Sequence, residues 1–282
     1  MRIVVASGKG GTGKTTLATS LALIAAERDS VRFMDCDVEA PNAGLFLDPV
    51  LNTHKEVGIL IPEVDEDTCT FCGKCAEVCQ FHAIAVIGKK TLVFPELCHG
   101  CGSCTLVCPE HAISENLDVM GVLESGTAAY EINFAQGVMN VGEPMAVPII
   151  RELKKWETDT TKIEMRDAPP GASCPVVETI RGADFVLLVT EPTPFGLHDL
   201  KQVFEITREL SLPTGVVVNR DGIGDNAVQA YCDENRIPVL MRIPMERRIA
   251  EAIASGKPLL EAAPEYRPAF QSMLNIIVAE VG

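Results

Sequence analysis

The chain has 282 residues, an apolar content of 47% and a formal net charge of −15 at pH 7. The length predicts about two domains, and no apolar run reaches the ~18 residues that a membrane-spanning helix requires. The negative charge disfavours nucleic acid and anionic membranes as partners, because both attract clustered Lys and Arg. The N-terminal apolar stretch, residues 3–6, is too short for a signal peptide, so we expect a cytoplasmic protein.

Short apolar segments alternate with segments of helical periodicity along most of the chain. This alternation predicts an α/β fold, with a doubly wound, mostly parallel sheet and helices on both faces. Strands are predicted at residues 2–7, 31–35, 162–167, 184–191, 213–219 and 239–244. Helices are predicted near residues 14–26, 144–156, 197–210, 225–236, 246–255 and 265–280. A hairpin is predicted within residues 117–134, with its turn near Glu124–Gly126.

A glycine-rich segment, SGKGGTGKTT (7–16), follows the first predicted strand and precedes the first predicted helix. It contains the pattern G-x4-G-K-T in the context expected of a phosphate-binding loop (P-loop). The backbone N–H groups of such a loop form an anion nest at the positive end of a helix. Lys14 is predicted to bind the β- and γ-phosphates, and Thr15 to ligate Mg²⁺. The predicted nucleotide-binding residues of the loop are Gly8, Lys9, Gly10, Gly11, Thr12, Gly13, Lys14, Thr15 and Thr16.

The second lysine of the loop, Lys9, is not part of an ordinary P-loop. The segment KGGTGKTT (9–16) resembles the deviant Walker A ATPases. That family includes septum-site and chromosome-partitioning ATPases, Mrp-type cluster carriers, arsenite-pump ATPases and the nitrogenase iron protein. The resemblance implies that Lys9 reaches across a dimer interface to the partner's nucleotide, so that ATP holds the dimer together. The alternative is a solvated lysine.

Two aspartates follow the second predicted strand, in the segment MDCDVEAPN (34–42). Asp35 and Asp37 are two residues apart, so both side chains can face the phosphates from the end of a strand. The family resemblance implies that Asp37 orients the attacking water and that Asp35 lies in the outer shell of Mg²⁺. The alternative is an Asx turn after the strand.

The segment DAPPG (167–171) ends a further apolar strand and resembles the Walker B and switch II region of the Mrp branch. The resemblance implies that Asp167 holds a magnesium-bound water and that Gly171 donates its N–H to the γ-phosphate. Asn219 matches the asparagine that recognises adenine in the family, since an amide offers one donor and one acceptor group. The loop near Pro244 matches the loop that lines the base pocket. The alternative for Asn219 is a turn residue.

Eight of the eleven cysteines lie in two copies of one motif. CTFCGKCAEVCQFHAI (69–84) aligns without gaps on CHGCGSCTLVCPEHAI (98–113). Each copy has the spacing C-x2-C-x2-C-x3-C of bacterial ferredoxins with two [4Fe–4S] clusters, in which the fourth cysteine binds the other cluster. Zinc, the alternative, is usually held by pairs of ligands. The two predicted ligand sets are Cys69, Cys72, Cys75 and Cys108, and Cys98, Cys101, Cys104 and Cys79.

The duplicated segment interrupts the alternation of strands and helices. We therefore predict that residues 63–116 form an inserted, small α+β ferredoxin-like domain. Residues 1–62 and 117–282 are predicted to form one P-loop ATPase domain, and the family resemblance covers essentially all of it. Cys174 is a candidate ligand for a subunit-bridging cluster like that of the nitrogenase iron protein, but the chain offers no second candidate.

Three functions fit this organisation. In the first, ATP-dependent dimerisation or docking gates electron transfer through the two clusters. In the second, the protein loads iron–sulfur clusters or another metal cofactor onto clients, as Mrp does. The third is a positioning switch like the septum-site proteins, and it is the least favoured because the C-terminal segment LNIIVAEVG (274–282) lacks Lys and Arg.

The cofactors and partners follow from these functions. We expect ATP or ADP, Mg²⁺ and two [4Fe–4S] clusters as cofactors. The expected partners are a second copy or a related ATPase, which would form a homodimer or heterodimer, and a redox or metallocofactor client.

Overall fold

A computed structural model describes residues 1–156 and 161–282 of the chain. Its strands are β1 (Arg2–Ala6), β2 (Val31–Asp35), β3 (Val50–Val64), β4 (Ile84–Val86), β5 (Thr91–Val93), β6 (Ile113–Ala128), β7 (Ile132–Met139), β8 (Ile163–Asp167), β9 (Phe185–Thr190), β10 (Thr214–Asp221) and β11 (Val239–Pro244). Its helices are α1 (Lys14–Ala26), α2 (Gly44–Leu47), α3 (Lys74–Val78), α4 (Ser103–Val107), α5 (Val147–Lys154), α6 (Cys174–Ile180), α7 (Pro194–Glu209), α8 (Ala227–Glu234), α9 (Arg247–Ala254), α10 (Leu259–Ala262) and α11 (Arg267–Val281).

Nine of the described strands form one sheet, in the order β11-β10-β9-β1-β8-β2-β7-β6-β3. The strands from β11 to β7 are parallel, whereas β6 and β3 are antiparallel to their neighbours. The prediction of an α/β fold with a mostly parallel sheet is confirmed. None of the described helices combines the length and the apolar character that a membrane span requires.

Alternate residues of β1 face opposite sides of the sheet, as in any strand. Ile3 and Val5 pack in a core with α1 and α11, whereas Val4 and Ala6 pack in a second core with α6, α7 and α8. All four side chains are fully buried. Helices therefore cover both faces of the sheet, which explains why the central strands are apolar without alternation.

The antiparallel edge of the sheet differs from the predicted hairpin. β6 passes straight through residues 124–126, and the chain turns at Ala129–Glu131 instead. A Cβ atom at Gly126 would lie 1.9 Å from the carbonyl oxygen of Val50 on β3. This glycine allows two strands to approach closely, and it does not form a turn. The predicted turn near Glu124–Gly126 is wrong.

No strand was predicted at β3, although it contains 15 residues. Its first seven residues, Val50–Glu56, are all exposed. An edge strand of this kind is held by backbone hydrogen bonds to β6 and buries no alternating apolar face. The pattern that predicted the buried strands is therefore missing here.

β3 and β6 remain paired to their tips, where Val64 lies opposite Ile113. β6 pairs with β7 only up to Gly121 and Met139. In the described sheet, the pairs from Gly58–Val119 to Val64–Ile113 therefore form a two-stranded ribbon beyond the carboxyl edge of the parallel strands. We call this ribbon the arm. The predicted domain boundaries at residues 63 and 116 both fall on it.

The base of the arm is hydrogen-bonded to the loop that follows β2. The N–H of Met139 donates to the carbonyl oxygen of Val38 at 2.9 Å. The N–H of the next residue, Asn140, donates to the carbonyl oxygen of Met120 on β6 at 2.8 Å. A short path of backbone bonds thus joins the aspartate-containing loop to the arm.

Residues 65–112, which the arm carries, repeat their structure as well as their sequence. α3 and α4 occupy equivalent positions, and each follows a glycine in the left-handed region, Gly73 at φ 81° and Gly102 at φ 71°. His82 and His111 are also equivalent, and they have φ values of 54° and 52°. The two copies of the motif therefore adopt the same backbone path.

Candidate functional site

A cavity of about 670 Å³ lies at the carboxyl ends of the parallel strands. Open α/β sheets ordinarily bind their ligands at this edge. The predicted site residues that line the cavity are Gly10, Gly11, Gly13, Lys14, Thr15, Thr16, Asp37, Asn219 and Pro244. The predicted residues that lie outside its lining are Gly8, Lys9, Thr12, Asp35, Asp167 and Gly171.

The P-loop adopts a path that depends on its glycines. Gly11 and Gly13 have φ values of 75° and 91°, in the left-handed region that favours glycine. Gly13 is followed directly by the first turn of α1, whose residues line the cavity. Gly8 is needed for a different reason, because a Cβ atom there would lie 2.4 Å from the Cβ of Asp199 on α7.

Lys14, Thr15 and two of the predicted aspartates converge beside the cavity. The Nζ atom of Lys14 lies 3.6 Å from Oδ1 of Asp167 and 4.0 Å from Oδ2 of Asp37. The hydroxyl of Thr15 donates to Oδ2 of Asp167 at 2.5 Å. Within the described residues, the buried Oδ1 atom of Asp167 accepts no hydrogen bond. A threonine hydroxyl beside a buried carboxylate oxygen that accepts no hydrogen bond fits Mg²⁺ and its bound waters.

Burial raises the pKa of all three predicted aspartates. The pKa of Asp35 is raised to about 7, first by burial and then by the negative charge of Asp167. Burial also raises the pKa of Asp37, to about 6, against the opposing effect of Lys14. The pKa of Asp167 is raised by burial, which outweighs the opposing effects of Lys14 and Thr15. A bound cation would relieve this concentration of negative charge.

The described residues do not form a complete metal site by themselves. No three of their His, Cys, Asp or Glu side chains converge on a point suited to a single metal ion. Mg²⁺ at a nucleotide site needs no such group, because phosphate oxygens and waters supply most of its ligands.

Asp35 is occupied by the loop that follows it. Its carboxylate accepts hydrogen bonds from the backbone N–H groups of Asn42 at 2.8 Å, Ala43 at 2.9 Å and Asp37 at 3.1 Å. These bonds fix the loop that holds Asp37 beside the cavity. The outer-shell role of Asp35 toward Mg²⁺ stays a prediction.

Asn219 lies against the P-loop. Its Nδ2 atom donates to the carbonyl oxygen of Thr12 at 2.7 Å, and its Oδ1 atom accepts from the N–H of Arg220 at 2.9 Å. A Cβ atom at Gly13 would lie 2.4 Å from Nδ2, so the loop glycine and this amide fit together closely. Asn219 thus ties β10 to the P-loop, and its contact with adenine stays a prediction.

Lys9 is paired with a residue that the sequence analysis did not identify. Its Nζ atom lies 2.9 Å from Oε2 of Glu191, which directly follows β9. The Oε1 atom of Glu191 lies 2.7 Å from NH1 of Arg220. In the sequence, Glu191 is the last residue of the strand predicted at 184–191, and its only signal is a charge that ends an apolar run.

The eight cysteines of the repeated motif lie around two narrow cavities. Cys69, Cys72, Cys75 and Cys108 line one cavity, and Cys79, Cys98, Cys101 and Cys104 line the other. The fourth cysteine of each copy therefore lies with the first three of the other copy. These groups are the same two sets of four that the ferredoxin spacing predicts.

Backbone N–H groups donate to the sulfur atoms at equivalent positions of the two copies. Phe71 donates to Cys69 and Gly100 donates to Cys98, both at 3.4 Å. Ala83 donates to Cys79 at 3.2 Å, and Ala112 donates to Cys108 at 3.3 Å. Such bonds stabilise negative charge on sulfur, as a [4Fe–4S] cluster requires of its ligands.

The remaining three cysteines lie elsewhere. Cys36 and Cys232 are buried in the cores that flank the sheet, and Cys174 is exposed at the first residue of α6. None of the three lines either cysteine cavity.

Comparison with known proteins agrees with a nucleotide-binding site at this edge of the sheet. The family described as the CobQ/CobB/MinD/ParA nucleotide-binding domain matches residues 3–259. The uncharacterized protein MJ0579 of Methanocaldococcus jannaschii is 32% identical over 277 residues, which cover 93% of this chain and 92% of that protein. The uncharacterized protein MJ0578 of the same organism is 34% identical over 228 residues, 80% of each chain.

Solved structures share the fold. The septum site-determining protein MinD of Pyrococcus horikoshii, complexed with Mg-ADP, superposes with a TM-score of 0.59 at 20% identity, over 98% of this chain and 95% of that one. MinD in the MinC:MinD cell division complex of Aquifex aeolicus gives a TM-score of 0.58 at 15% identity, over 99% and 96%. With a P-loop at the carboxyl edge of a parallel sheet and a family match over residues 3–259, the chain belongs to the CobQ/CobB/MinD/ParA family of nucleotide-binding proteins.

Proposed function

We propose that the protein is an ATP-dependent switch that hydrolyses ATP and dimerises in its ATP-bound state. The observation that carries this proposal is the convergence of Lys14, Thr15, Asp37 and Asp167 beside one cavity. The Nζ atom of Lys14 lies within ion-pair distance of two carboxylates, those of Asp37 and Asp167. Bound phosphates would take their place, while Mg²⁺ would neutralise the carboxylates that Lys14 leaves.

Each of these residues has a distinct part in hydrolysis. Lys14 binds the β- and γ-phosphates. Thr15 and Asp167 would hold Mg²⁺ and its water, and the ion would neutralise negative charge on the phosphates. Asp37 accepts a hydrogen bond from the attacking water and orients it toward the γ-phosphorus. The water oxygen then forms a bond to phosphorus while one of its protons passes to an oxygen of the transferred phosphate. The bond to the β–γ bridging oxygen breaks, and ADP leaves with that oxygen and the electron pair of the bond.

The N–H of Gly171 has two alternative acceptors, a backbone carbonyl oxygen of its own chain and, as predicted, the γ-phosphate. Its N–H donates to the carbonyl oxygen of Ser7 at 3.0 Å, and its φ is 101°. The predicted contact with the γ-phosphate requires this bond to be exchanged. The loop after β8 would therefore differ between the ATP-bound and the nucleotide-free states.

The output that we propose is electron transfer through two [4Fe–4S] clusters in the predicted insert, residues 63–116. The support is the grouping of eight cysteines into two sets of four, each with backbone donors to sulfur. Two bound clusters would supply a one-electron relay. ATP-dependent dimerisation, or docking on a client, would control which partner the insert reaches.

A positioning switch is the second candidate function. The family match and the MinD structures support a nucleotide-dependent switch of this class, and they do so better than they support electron transfer. One of the matched structures holds MinD in complex with a partner, MinC. The electron-transfer output depends on the cysteine geometry alone.

A cluster-loading factor is the third candidate function. It would use the same cysteines, and Cys72 and Cys101, one in each set, are exposed.

The experiment that separates the three functions uses anaerobically purified protein. An ATP-controlled electron-transfer protein should keep its iron when it is mixed with an apo-acceptor protein. Its rate of electron exchange with a soluble mediator should change when ATP is added. A loading factor loses iron to the acceptor. A positioning switch shows ATP-dependent dimerisation, with electron exchange that is absent or insensitive to ATP.

A further inference from the structure

Lys9 is held inside its own chain by a buried carboxylate. The distance from its Nζ atom to Oε2 of Glu191 is 2.9 Å, which is that of a direct charge-assisted bond. The Glu191 side chain is 4% exposed, whereas that of Lys9 is 36% exposed. The acid is therefore fixed in the protein, and the lysine lies at the surface, from which it can leave.

Arg220 binds the other oxygen of the same carboxylate. Its NH1 atom lies 2.7 Å from Oε1 of Glu191, and its NH2 atom donates to the carbonyl oxygen of Gly11 at 3.0 Å. Arg220 is the extra residue of a bulge in β10, opposite β11, and has a φ of 54°. A bulge re-aims the side chain that it contains, and here that side chain spans from β10 to Glu191 and the P-loop.

We propose that Glu191 is a positioning residue that retains Lys9 in the monomer and competes with the nucleotide of a second copy of this chain for the same lysine. This inference rests on the ATP-dependent dimerisation proposed above, together with the prediction from the family resemblance that Lys9 reaches the partner's nucleotide. Dimerisation would then be an exchange, in which each Lys9 leaves a carboxylate of its own chain for a phosphate bound by the partner.

Arg220 makes this exchange feasible. A buried carboxylate that loses its only partner is strongly destabilising. Glu191 keeps Arg220 when Lys9 leaves, so its charge stays paired in both states. Because Arg220 also binds Gly11, the carboxylate that holds Lys9 is connected to the loop that surrounds the phosphates.

The proposal predicts the direction and size of the change in dimerisation when Glu191 is substituted. The Lys9–Glu191 pair stabilises the monomer relative to the dimer, so its removal should favour the dimer. A partly exposed ion pair contributes roughly a factor of 2–5 to an equilibrium. A symmetric dimer breaks two such pairs, so Glu191→Gln should tighten ATP-dependent dimerisation about tenfold. Gln keeps the shape of the side chain and an oxygen that can accept from Arg220.

The experiment is sedimentation of the full chain with a slowly hydrolysed ATP analogue, over a range of protein concentrations. The variants are Glu191→Gln, Lys9→Ala and the double variant. The matched control is Asp221→Asn, which removes one negative charge near the same end of the sheet, from an acid that is paired with Arg242 and does not contact Lys9. We expect Glu191→Gln to dimerise about tenfold more tightly, Asp221→Asn to match wild type, and the double variant to stay monomeric.

Other outcomes separate this inference from the proposed function. If Glu191→Gln dimerises like wild type while Lys9→Ala is monomeric, Glu191 does not compete for Lys9, and the dimer proposal stands. Dimerisation of the double variant would show that the Gln acts through the fold and not through Lys9, which also overturns the inference. If Lys9→Ala dimerises like wild type, Lys9 does not act across the interface and the inference is wrong, while ATP-dependent dimerisation stands. If the wild type itself does not dimerise with the analogue, both proposals are wrong.

A measurement on the wild type replaces the variant should Glu191→Gln fail to fold. In the nucleotide-free protein, acylation of Lys9 is followed by mass spectrometry against the exposed Lys89. An amine that contacts a carboxylate of its own chain is less accessible to the reagent than an unpaired, exposed one, so Lys9 should react several times more slowly than Lys89. Equal reaction rates would overturn the inference.

Discussion

The hydroxyl of Thr15 and the carboxylate of Asp167 are joined by a hydrogen bond of 2.5 Å, although 152 positions separate them in the chain. The bond connects the first turn of α1 to the carboxyl end of β8. The residue predicted to ligate Mg²⁺ and the residue predicted to hold its water are thus adjacent in the folded chain. Because each side chain of this site has its own predicted role, single substitutions should separate ATP binding, hydrolysis and dimerisation.

Asp37→Asn should separate ATP binding from hydrolysis. The carboxamide keeps the shape of the side chain but is a weaker acceptor for the attacking water, so turnover should fall by about 100-fold or more. ATP affinity should stay within a few-fold, because Lys14 holds the phosphates. Phosphate release and equilibrium dialysis measure the two quantities. The control is Glu280→Gln, an exposed acid on α11 outside the cavity lining, which should leave both unchanged. Full turnover in Asp37→Asn would show that the water is oriented by another group.

Lys9→Ala should abolish dimerisation while ATP stays bound. A charge-assisted lysine–phosphate contact in a closed site contributes about 1.5–3 kcal/mol. Two such contacts in a symmetric dimer would shift association by several kcal/mol, enough to give a monomer at micromolar concentration. Sedimentation with a slowly hydrolysed ATP analogue gives the oligomeric state. Lys14→Ala, in contrast, should lose ATP itself, so the two lysines should fail in different assays.

Protein purified without oxygen should contain about eight iron atoms per chain, because two sets of four cysteines would bind two four-iron clusters. Cys108→Ser should lose the cluster held with Cys69, Cys72 and Cys75, leaving about four iron atoms. Cys174→Ser, the control, should keep about eight, since Cys174 lies outside both cavities. Iron analysis and electron paramagnetic resonance of the reduced protein measure this. Stoichiometric zinc without iron would remove the ferredoxin interpretation.

The nucleotide-free protein should become less stable as the pH rises from about 4 to about 7. Burial raises the pKa of Asp35 to about 7 in the folded chain, whereas an unfolded aspartate titrates near 3.9. Between these two pKa values, the folded state binds a proton at Asp35 that the unfolded state does not. The contribution of this proton to stability is complete below the unfolded pKa and is lost as the pH rises through the folded pKa. The loss should be on the order of 3 kcal/mol.

Asp35→Asn tests the origin of that pH dependence. The variant has no proton to lose at this position, so its free energy of unfolding should vary less between pH 4 and pH 7. Denaturant titrations at several pH values measure the slope. A variant with the wild-type slope would assign the effect to other carboxylates, such as Asp37 or Asp167.

Gly126→Ala should destabilise the antiparallel edge of the sheet. The new Cβ atom would lie 1.9 Å from the backbone of β3, which cannot move aside as a side chain could. We expect a loss of about 2 kcal/mol or more in the free energy of unfolding. Gly44→Ala is the control, because the nearest atom there is 3.7 Å away. Equal stability of the two variants would mean that β3 and β6 can separate at no cost.

The sequence predicted the parallel part of the fold well because burial on both faces leaves continuous apolar runs. β11 (Val239–Pro244) and α1 (Lys14–Ala26) have the predicted bounds. Exposed β3 leaves no such pattern, and Gly126 looks like a turn residue until a neighbouring strand is placed beside it. Glu191 could not be recognised for a similar reason. Its contact with Lys9 spans 182 positions and is created by the order of the strands.

The arm can convert a movement of the loop after β2 into a movement of the cysteine cavities. Six residue steps, from Gly58–Val119 to Val64–Ile113, make the arm about 20 Å long. A ribbon of two strands twists more readily than a sheet of nine. Because backbone bonds join Val38 to Met139, and Asn140 to Met120 at the base, a rotation of about 10° there would move the cysteine cavities by about 3–4 Å. The arm would act as a lever, so that small displacements beside Asp37 become large displacements of the cysteines. Both the arm and the nucleotide cavity lie at the carboxyl edge of the parallel strands.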